Sequence, residues 1–352
     1  MELLQQGLAV TVIERSAYDD LRIGEHVQPS AVLKLRTIGS KSNLRLDGHF
    51  ASAGVIAYWG SESANFMDYF LHAGQQGLNL SRPRFDADLA LACEACGATV
   101  RRSTTLLRAV RRISGWDVEI VEDGTIRSLS ASFIVDATGR AATFARRQGA
   151  SVRAHDRQIA VVAFGTIPNG RTAHRRSIVE AVESGWWYNA IISPERRICM
   201  FVTDDDLLPR GKRDLQAWWV VQLRRTVQLS QWSGEFEAPE GLVVRSARSQ
   251  HLDPAFGTGW LAVGDAAMAF DPLSSQGIAK ALDHGKRAAS SIAAYFSGDR
   301  LSLETFSCQL QLEYANYLAT RARYCRLEMR WPRSLFWKRR HDRAIALADG
   351  TS

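Results

Sequence analysis

The sequence predicts an α/β fold in which a buried parallel sheet is interleaved with an antiparallel sheet and helices close the C-terminal end. Three observations carry this expectation. Residues 8–13 (LAVTVI) form a short β-branched apolar run with Glu14 directly after it. Residues 133–139 (FIVDATG) and 260–265 (WLAVGD) hold two more apolar runs, each ending at an acidic residue within three positions of a glycine. Runs this apolar suit strands buried on both faces, as in a parallel sheet covered by helices. Residues 158–250 instead alternate in strand fashion around Gly185-Trp186-Trp187-Tyr188, as an antiparallel layer does.

Residues 1–7 read as the end of a helix closed by Gly7. Helix, glycine, buried strand and acidic residue make up the second half of a Rossmann-like βαβ unit. In that unit the acidic residue accepts hydrogen bonds from an adenosine ribose, a role that falls to Glu14, with Arg15 beside it. A complete unit opens with a strand and a G-x-G-x-x-G loop whose N–H groups face a pyrophosphate. Neither precedes the helix here. The expectation is a reading frame beginning roughly 20–30 residues upstream, with a degenerate gene product as the alternative. The absent strand would be central, so unpaired apolar edges are expected on its neighbours.

Arg22-Ile23-Gly24-Glu25 and Pro29 precede a helix-like stretch through Leu33, Leu35 and Ile38. Residues 50–60 read as one strand of the antiparallel layer. Residues 82–97 read as a helix entered through Pro83, with Phe85, Leu89, Ala92 and Cys96 on its apolar face. Strands are expected over 99–112, 116–122 and 125–129, the last two joined by the hairpin signal Asp123-Gly124. A helix is expected near 212–230 and a long one after Gly277. The organisation inferred is a discontinuous dinucleotide-binding domain (1–48, 75–152, 255–300), a substrate domain (49–74, 153–254) and a helical tail (301–352).

The 352 residues are 46% hydrophobic and 23% charged, ample for a sizeable core. No apolar run approaches the ~20 residues that span a bilayer, so no stable membrane insertion is expected. The start lacks a signal-peptide pattern. Five scattered cysteines suit a reducing cytosol, and the lone Cys93-x-x-Cys96 reads as two packed helix residues. Much of the net charge of +7 sits in residues 321–343, interleaved with Trp331, Phe336 and Trp337. This reads as an amphipathic tail with arginines outward and aromatics packed inward. Nucleic-acid or membrane-surface binding is the alternative, and no nucleic-acid partner is expected.

Residues 264–278 carry the most chemistry. Asp265, at the edge of a strand, is placed to hydrogen-bond a sugar-like chain. A helix beginning near Ser275–Gly277, and running on through Ile278, points its positive end and free N–H groups outward. Such an end stabilises negative charge. Pro272 stiffens the approach, and Gly277 allows a flat ring close to the backbone.

In order and spacing, the Glu14 strand end, Arg82-x-x-Phe85-Asp86, DATG at 136–139 and GD…DP…G at 264–277 resemble the p-hydroxybenzoate hydroxylase-like FAD oxidoreductases. The resemblance covers essentially the whole chain. Residues 23–25 (IGE), 185–188 (GWWY) and 271–277 (DPLSSQG) are most similar to the tryptophan-halogenase branch. That branch also holds hydroxylases that mature tryptophan-derived quinone cofactors. The resemblance implies FAD as cofactor, with Glu14 on the adenosine ribose and Arg22 and Arg82 along the dinucleotide. Thr138 and Gly139 would pack near it, and Asp265, Pro272, Ser275, Gly277 and Ile278 would wrap ribityl and isoalloxazine.

Two departures argue against halogenation. The halogenase W-x-W-x-I-P signature is replaced by Trp186-Trp187-Tyr188-Asn189-Ala190-Ile191. A halogenase also needs a relay lysine on the strand that aligns with residues 52–55, and no lysine lies between Ser42 and Arg210. The implied activity is therefore a monooxygenase that hydroxylates a small-molecule or peptidyl aromatic substrate through a flavin C4a-hydroperoxide. NAD(P)H or an external source of reduced flavin, such as a flavin reductase, would supply electrons. A C=C reductase of the geranylgeranyl reductase type and a remnant that no longer binds FAD are the alternatives. No catalytic acid or base stands out; His155, His174 and His251 are isolated residues in or near the substrate layer. Tyr58, Trp59, Trp186, Trp187 and Tyr188 line an aromatic pocket or simply pack.

Overall fold

Two short parallel ladders hold the acidic strand ends. In the computed structural model, which describes all residues except 21, 43, 168–174, 232–240 and 349–352, strand Thr11–Ile13 pairs with Thr99–Arg101. Strand Ile134–Asp136 pairs in parallel with Trp260–Ala262, which carries the short antiparallel strand Phe256–Gly257 on its other side. Thr11–Ile13 and Ile134–Asp136 are each hydrogen-bonded on one side only among the described residues. Their side chains nevertheless share a core, since Leu8, Ile13, Ile134 and Val135 pack onto Phe144, Leu261, Ile292 and Phe306.

Two expected strands each divide in the structure. Residues 50–60 break into Phe50–Ser52, which pairs with Gly77–Asn79, and Gly54–Tyr58, which joins a different, seven-stranded sheet. The cause is Gly54. Its φ is +148°, and a Cβ there would lie 2.0 Å from the Met67 carbonyl oxygen, so only glycine permits the bend. Residues 99–112 break at Ser103, which adopts a left-handed φ of +51°. The first part stays with Thr11–Ile13, and Thr104–Arg112 starts an antiparallel meander with Gly115–Glu122 and Thr125–Ala131. Asp123 and Gly124, with φ of +49° and +73°, form the anticipated tight hairpin.

The seven-stranded sheet runs in the order Val243–Ser246, Gln158–Thr166, Arg196–Asp204, Gly185–Ser193, Arg176–Val182, Gly54–Tyr58, Asn65–Asp68. All its pairings are antiparallel except that of Arg176–Val182 with Gly54–Tyr58. Alternation gives it two distinct faces. Val161, Cys199, Phe201, Trp187 and Ile178 point to one side, where helix Lys212–Arg224 covers them with Trp219 and Leu223. Val162, Phe164, Met200, Trp186, Tyr188 and Ala190 point to the other, toward Ile23 and Leu273.

Helices Gly277–Phe296, Ser302–Leu327 and Leu335–Ala348 complete the chain. Phe336 and Trp337 are buried as anticipated. The expectation that the tail's arginines point outward fails for Arg321 and Arg340, which are also buried. Arg321 meets Asp156 and Asp271, and Arg340 meets Asp204. A guanidinium tolerates burial when carboxylates match its donors. Cys93 and Cys96 form no disulfide among the described residues and are half-buried near the end of helix Arg82–Ala95. No described helix is long and apolar enough to cross a membrane.

Candidate functional site

The strand ends and the arm 22–29 define one cleft. At its first edge the Glu14 carboxylate accepts hydrogen bonds from the Ser16 amide (2.9 Å) and hydroxyl (2.7 Å) and from Arg22 (3.0 Å). Burial works against ionisation of Glu14, but the Ser16 bonds and Arg22 outweigh it and hold the carboxyl below its usual range. Arg22 also reaches Asp86 at 3.1 Å. Arg82 grips the same Asp86 and donates to the Ile23 and Gly24 carbonyls at 2.9 and 3.1 Å. Asp86 thus ties the two arginines to the arm. Arg15 is exposed beside this cluster.

The second edge is built from the two acidic turns. Asp136 is 1% exposed and spends its carboxylate on its own loop, accepting from the Thr138 amide and hydroxyl and from the Ala145 amide. The turn delivers Arg140 across the cleft, where it binds the Arg248 and Phe270 carbonyls and lies 3.7 Å from Asp265. Residues 264–267 coil into a short helix after the strand, so Asp265 sits in a helical first turn rather than at the strand end itself.

Helix Gly277–Phe296 grips that turn with one face. Lys280 donates to Asp265 Oδ1 at 2.8 Å and to the Met268 carbonyl. One turn on, His284 Nδ1 accepts from the Gly264 amide at 3.0 Å, and its Nε2 faces Glu313. An accepting Nδ1 makes the ring neutral with its proton on Nε2, in keeping with a pKa lowered by burial. Burial pushes Asp265 up, yet Lys280 and Arg140 pull harder and leave it below the usual carboxylate range. Its side chain remains 36% exposed.

The loop before the helix is held from the C-terminal side. Asp271 caps the turn through the Leu273 amide (3.0 Å), and Ser275 takes a left-handed φ of +49°. Arg321 holds the other Asp271 oxygen, and the Tyr317 hydroxyl accepts from the Asp271 amide at 2.7 Å. Gln28 of the arm reaches the Ser274 carbonyl at 3.5 Å, so arm and loop meet. Pro272 starts the short turn that leads to the helix. No side chain caps the first turn of the helix, and a Cβ at Gly277 would meet nothing within 4 Å. Ile278 turns away and packs beside Leu35 and Phe85.

A family described as an FAD binding domain matches residues 1–307. The chain belongs to this FAD-binding family. It is 29% identical over 345 residues to the putative FAD-dependent oxidoreductase LodB of Marinomonas mediterranea, covering 96% of this chain and 92% of that one. It is 25% identical to a 1H-pyrrole-2-carbonyl-[peptidyl-carrier protein] brominase of Pseudoalteromonas luteoviolacea, over 85% and 75% of the two chains. Among solved structures, the myxobacterial chondrochloren halogenase CndH has the same fold, with a TM-score of 0.84 at 21% identity over 100% and 86% of the chains. The peptidyl tryptophan dihydroxylase QhpG shares it with a TM-score of 0.78 at 24% identity over 96% and 74%. This protein is an FAD-dependent oxidoreductase of that family.

The residues present fit FAD. The partly exposed Asp265 carboxylate has an oxygen free to accept from a ribityl hydroxyl, and Gly139 and Gly277 leave open space where a Cβ would intrude. Arg22, Arg82, Arg140 and the uncapped helix end supply positive potential for a diphosphate. The sequence reading overlooked Asp86 as the partner of Arg82, although their i, i+4 spacing was a readable signal. It also overlooked Lys280 and His284, again four residues apart on one helix face. Tyr317 and Arg321 offered no such signal, being 46 and 50 residues from the loop they hold.

Strand alternation divides the five aromatic residues that the sequence offered either as a pocket or as simple packing. Trp187 packs on the covered face against Trp219, and Tyr58 lies on that side. Trp59, Trp186 and Tyr188 are on the face toward the arm. Burial, and then the neighbouring Glu25 carboxylate, hold the Tyr188 hydroxyl well above its usual pKa. That hydroxyl and those of Ser52 and Ser177 are buried and form no well-aligned hydrogen bond among the described residues, although Glu25 and Ser177 lie close to the Tyr188 oxygen. His251 packs beside Tyr314 on strand Gln250–Asp253, away from this face, and His174 lies outside the described residues.

Proposed function

We propose that the protein is a flavin monooxygenase that hydroxylates an aromatic group carried by a small molecule or a peptide. The observation that carries this reading is the sheet face opposite the arm and the 271–277 loop. It presents Phe164, Met200, Trp59, Trp186 and Tyr188, and no strand of that sheet contains a lysine. Gly54–Tyr58 and the residues before it, where the halogenase resemblance asks for a relay lysine, offer only small and apolar side chains up to Ala57. The dihydroxylation of a peptidyl tryptophan by a protein of the same fold supports the reading by analogy.

Bound FAD, once reduced, would supply the oxygen-activating chemistry. The chain's own part is to hold and shield. Glu14 would hold the adenosine ribose, and Asp265, oriented by Lys280 and Arg140, the ribityl chain. The first turn of helix Gly277–Phe296 would stabilise negative charge on the ring system. Phe164, Met200 and Trp186 would exclude water from the ring's substrate side. Tyr188, kept protonated by burial and Glu25, would donate a hydrogen bond to a polar atom of the substrate. NAD(P)H or a partner flavin reductase would deliver the electrons.

The test is a turnover assay under 18O2 with reduced flavin, a panel of free and peptidyl tryptophan and phenol substrates, and bromide present. Product carrying labelled oxygen and no bromine is expected. Brominated product, or anaerobic turnover that adds two hydrogens, would overturn the assignment.

A further inference from the structure

A cavity of about 290 Å³ opens between the chain crossing at 154–157 and helix Leu335–Ala348. It is separate from the flavin cleft. Arg157, Arg339, Arg340 and Arg343 all face it, together with His155. Most of the positive charge around it is matched. Asp204 takes Arg339 and Arg340, both at 2.8 Å. Asp206 takes Arg339 and Arg157, and Asp205 takes Arg157 and Arg248. Asp156, which also lines the cavity, is held by Arg321.

Arg343 is left over. Its guanidinium donates to the His155 carbonyl and, among the described residues, forms no ion pair with a carboxylate, although Asp156 and Asp204 lie near enough to act on its charge. The His155 ring feels the excess: burial first, and then Arg321 and Arg343, bring it down to about 4. It is therefore neutral near pH 7, where it keeps a ring N–H to donate and carries no charge. One unmatched guanidinium, a half-exposed Arg157 and a neutral imidazole donor around one space form a receptor for negative oxygens.

We propose that this cavity binds a compact oxyanion, a phosphate or carboxylate group, through Arg343 and Arg157. The volume sits at the small end of ligand sites, which run from about 300 Å³ upward, and suits a phosphate- or citrate-sized group rather than a dinucleotide. The site lies one ion pair from the flavin loop, because Arg321 joins Asp156 to Asp271. The proposal is independent of which reaction the flavin performs.

The test uses FAD-saturated protein, so that the flavin cleft cannot take the probe. Inorganic phosphate, pyrophosphate and citrate are titrated by calorimetry at ionic strength fixed with sodium chloride. One-to-one binding is expected for at least one of them, with a Kd of about 1 mM or tighter. Preference for the phosphates would identify a phosphate-bearing ligand, and preference for citrate a carboxylate-bearing one. Arg343→Gln should weaken binding roughly tenfold or more while leaving the melting temperature unchanged, since it breaks no ion pair. Arg157→Gln should weaken it too. If Arg157→Gln melts early through loss of its Asp205 and Asp206 partners, Arg343→Gln alone decides. Heats indistinguishable from chloride, or unaltered affinity in Arg343→Gln, would sink the proposal.

Discussion

Arg321 bridges Asp271 of the 271–277 loop and Asp156 of the chain crossing, at 3.1 and 3.0 Å, from a helix that starts 31 residues after Asp271. The same helix supplies Tyr317, whose ring stacks on Phe270 with centroids 4.0 Å apart. The C-terminal helices therefore act as a clamp on the loop that would face the flavin.

Removing the clamp should be costly. Arg321→Leu leaves two buried carboxylates without their shared cation, and such losses run at about 3–5 kcal/mol. Urea unfolding should show that loss. Flavin retention on gel filtration should fall with it, and a variant of wild-type stability would show that the bridge is not structural.

Asp265→Asn removes a charge while keeping the shape of the side chain. A charge-assisted hydrogen bond contributes about 1.5–3 kcal/mol, so FAD affinity should drop by roughly 10- to 100-fold. Flavin fluorescence titration measures this directly. Unchanged affinity would remove Asp265 from the cofactor site.

Tyr188→Phe separates packing from function. Its buried hydroxyl forms no well-aligned hydrogen bond among the described residues, so deleting it should leave the urea midpoint nearly unchanged. Turnover of a hydrogen-bonding substrate should fall, chiefly through KM. A marked loss of stability would mean that the hydroxyl is satisfied after all.

His155 and Glu313 are two of the groups that shape the acid limb of stability. The His155 pKa falls from an ordinary 6.5 to about 4, so the folded state resists a proton that the unfolded chain accepts. Stability should decline as pH falls from 6.5 toward 4, and His155→Gln should flatten that window. Burial would raise Glu313, but hydrogen bonds from His284 and Arg287 bring it from 4.5 to about 2. Its contribution is full above pH 4.5 and is lost as pH falls toward 2, which Glu313→Gln should abolish. Urea midpoints from pH 7 to 3 test both, and identical limbs in variant and wild type would refute the assignments.

Much of the candidate cofactor cleft was legible from local pattern. The turn at residues 136–139, the turn at 264–265 and the start of helix Gly277–Phe296 each follow from a glycine or proline placed beside an apolar run. The breaks at Gly54 and Ser103 were not legible. Both residues sit inside strand-like sequence, and only their neighbours across the sheet reveal the bend. The sequence left the five aromatic residues open between a pocket and simple packing, because adjacency in sequence hides which side of a pleated strand each occupies.

The fold class and the turns at 136–139 and 264–277 were thus determined by the sequence itself, since turns and helix ends depend on residues within a few positions of one another. Tertiary structure alone decided that Asp86 joins Arg22 to Arg82, that Arg321 and Tyr317 hold Asp271, and that Trp186 and Trp187 face opposite sides. Those pairings stabilise only after distant segments have been brought together and dried, so their energy is carried by the packed core and leaves no periodic mark on the chain.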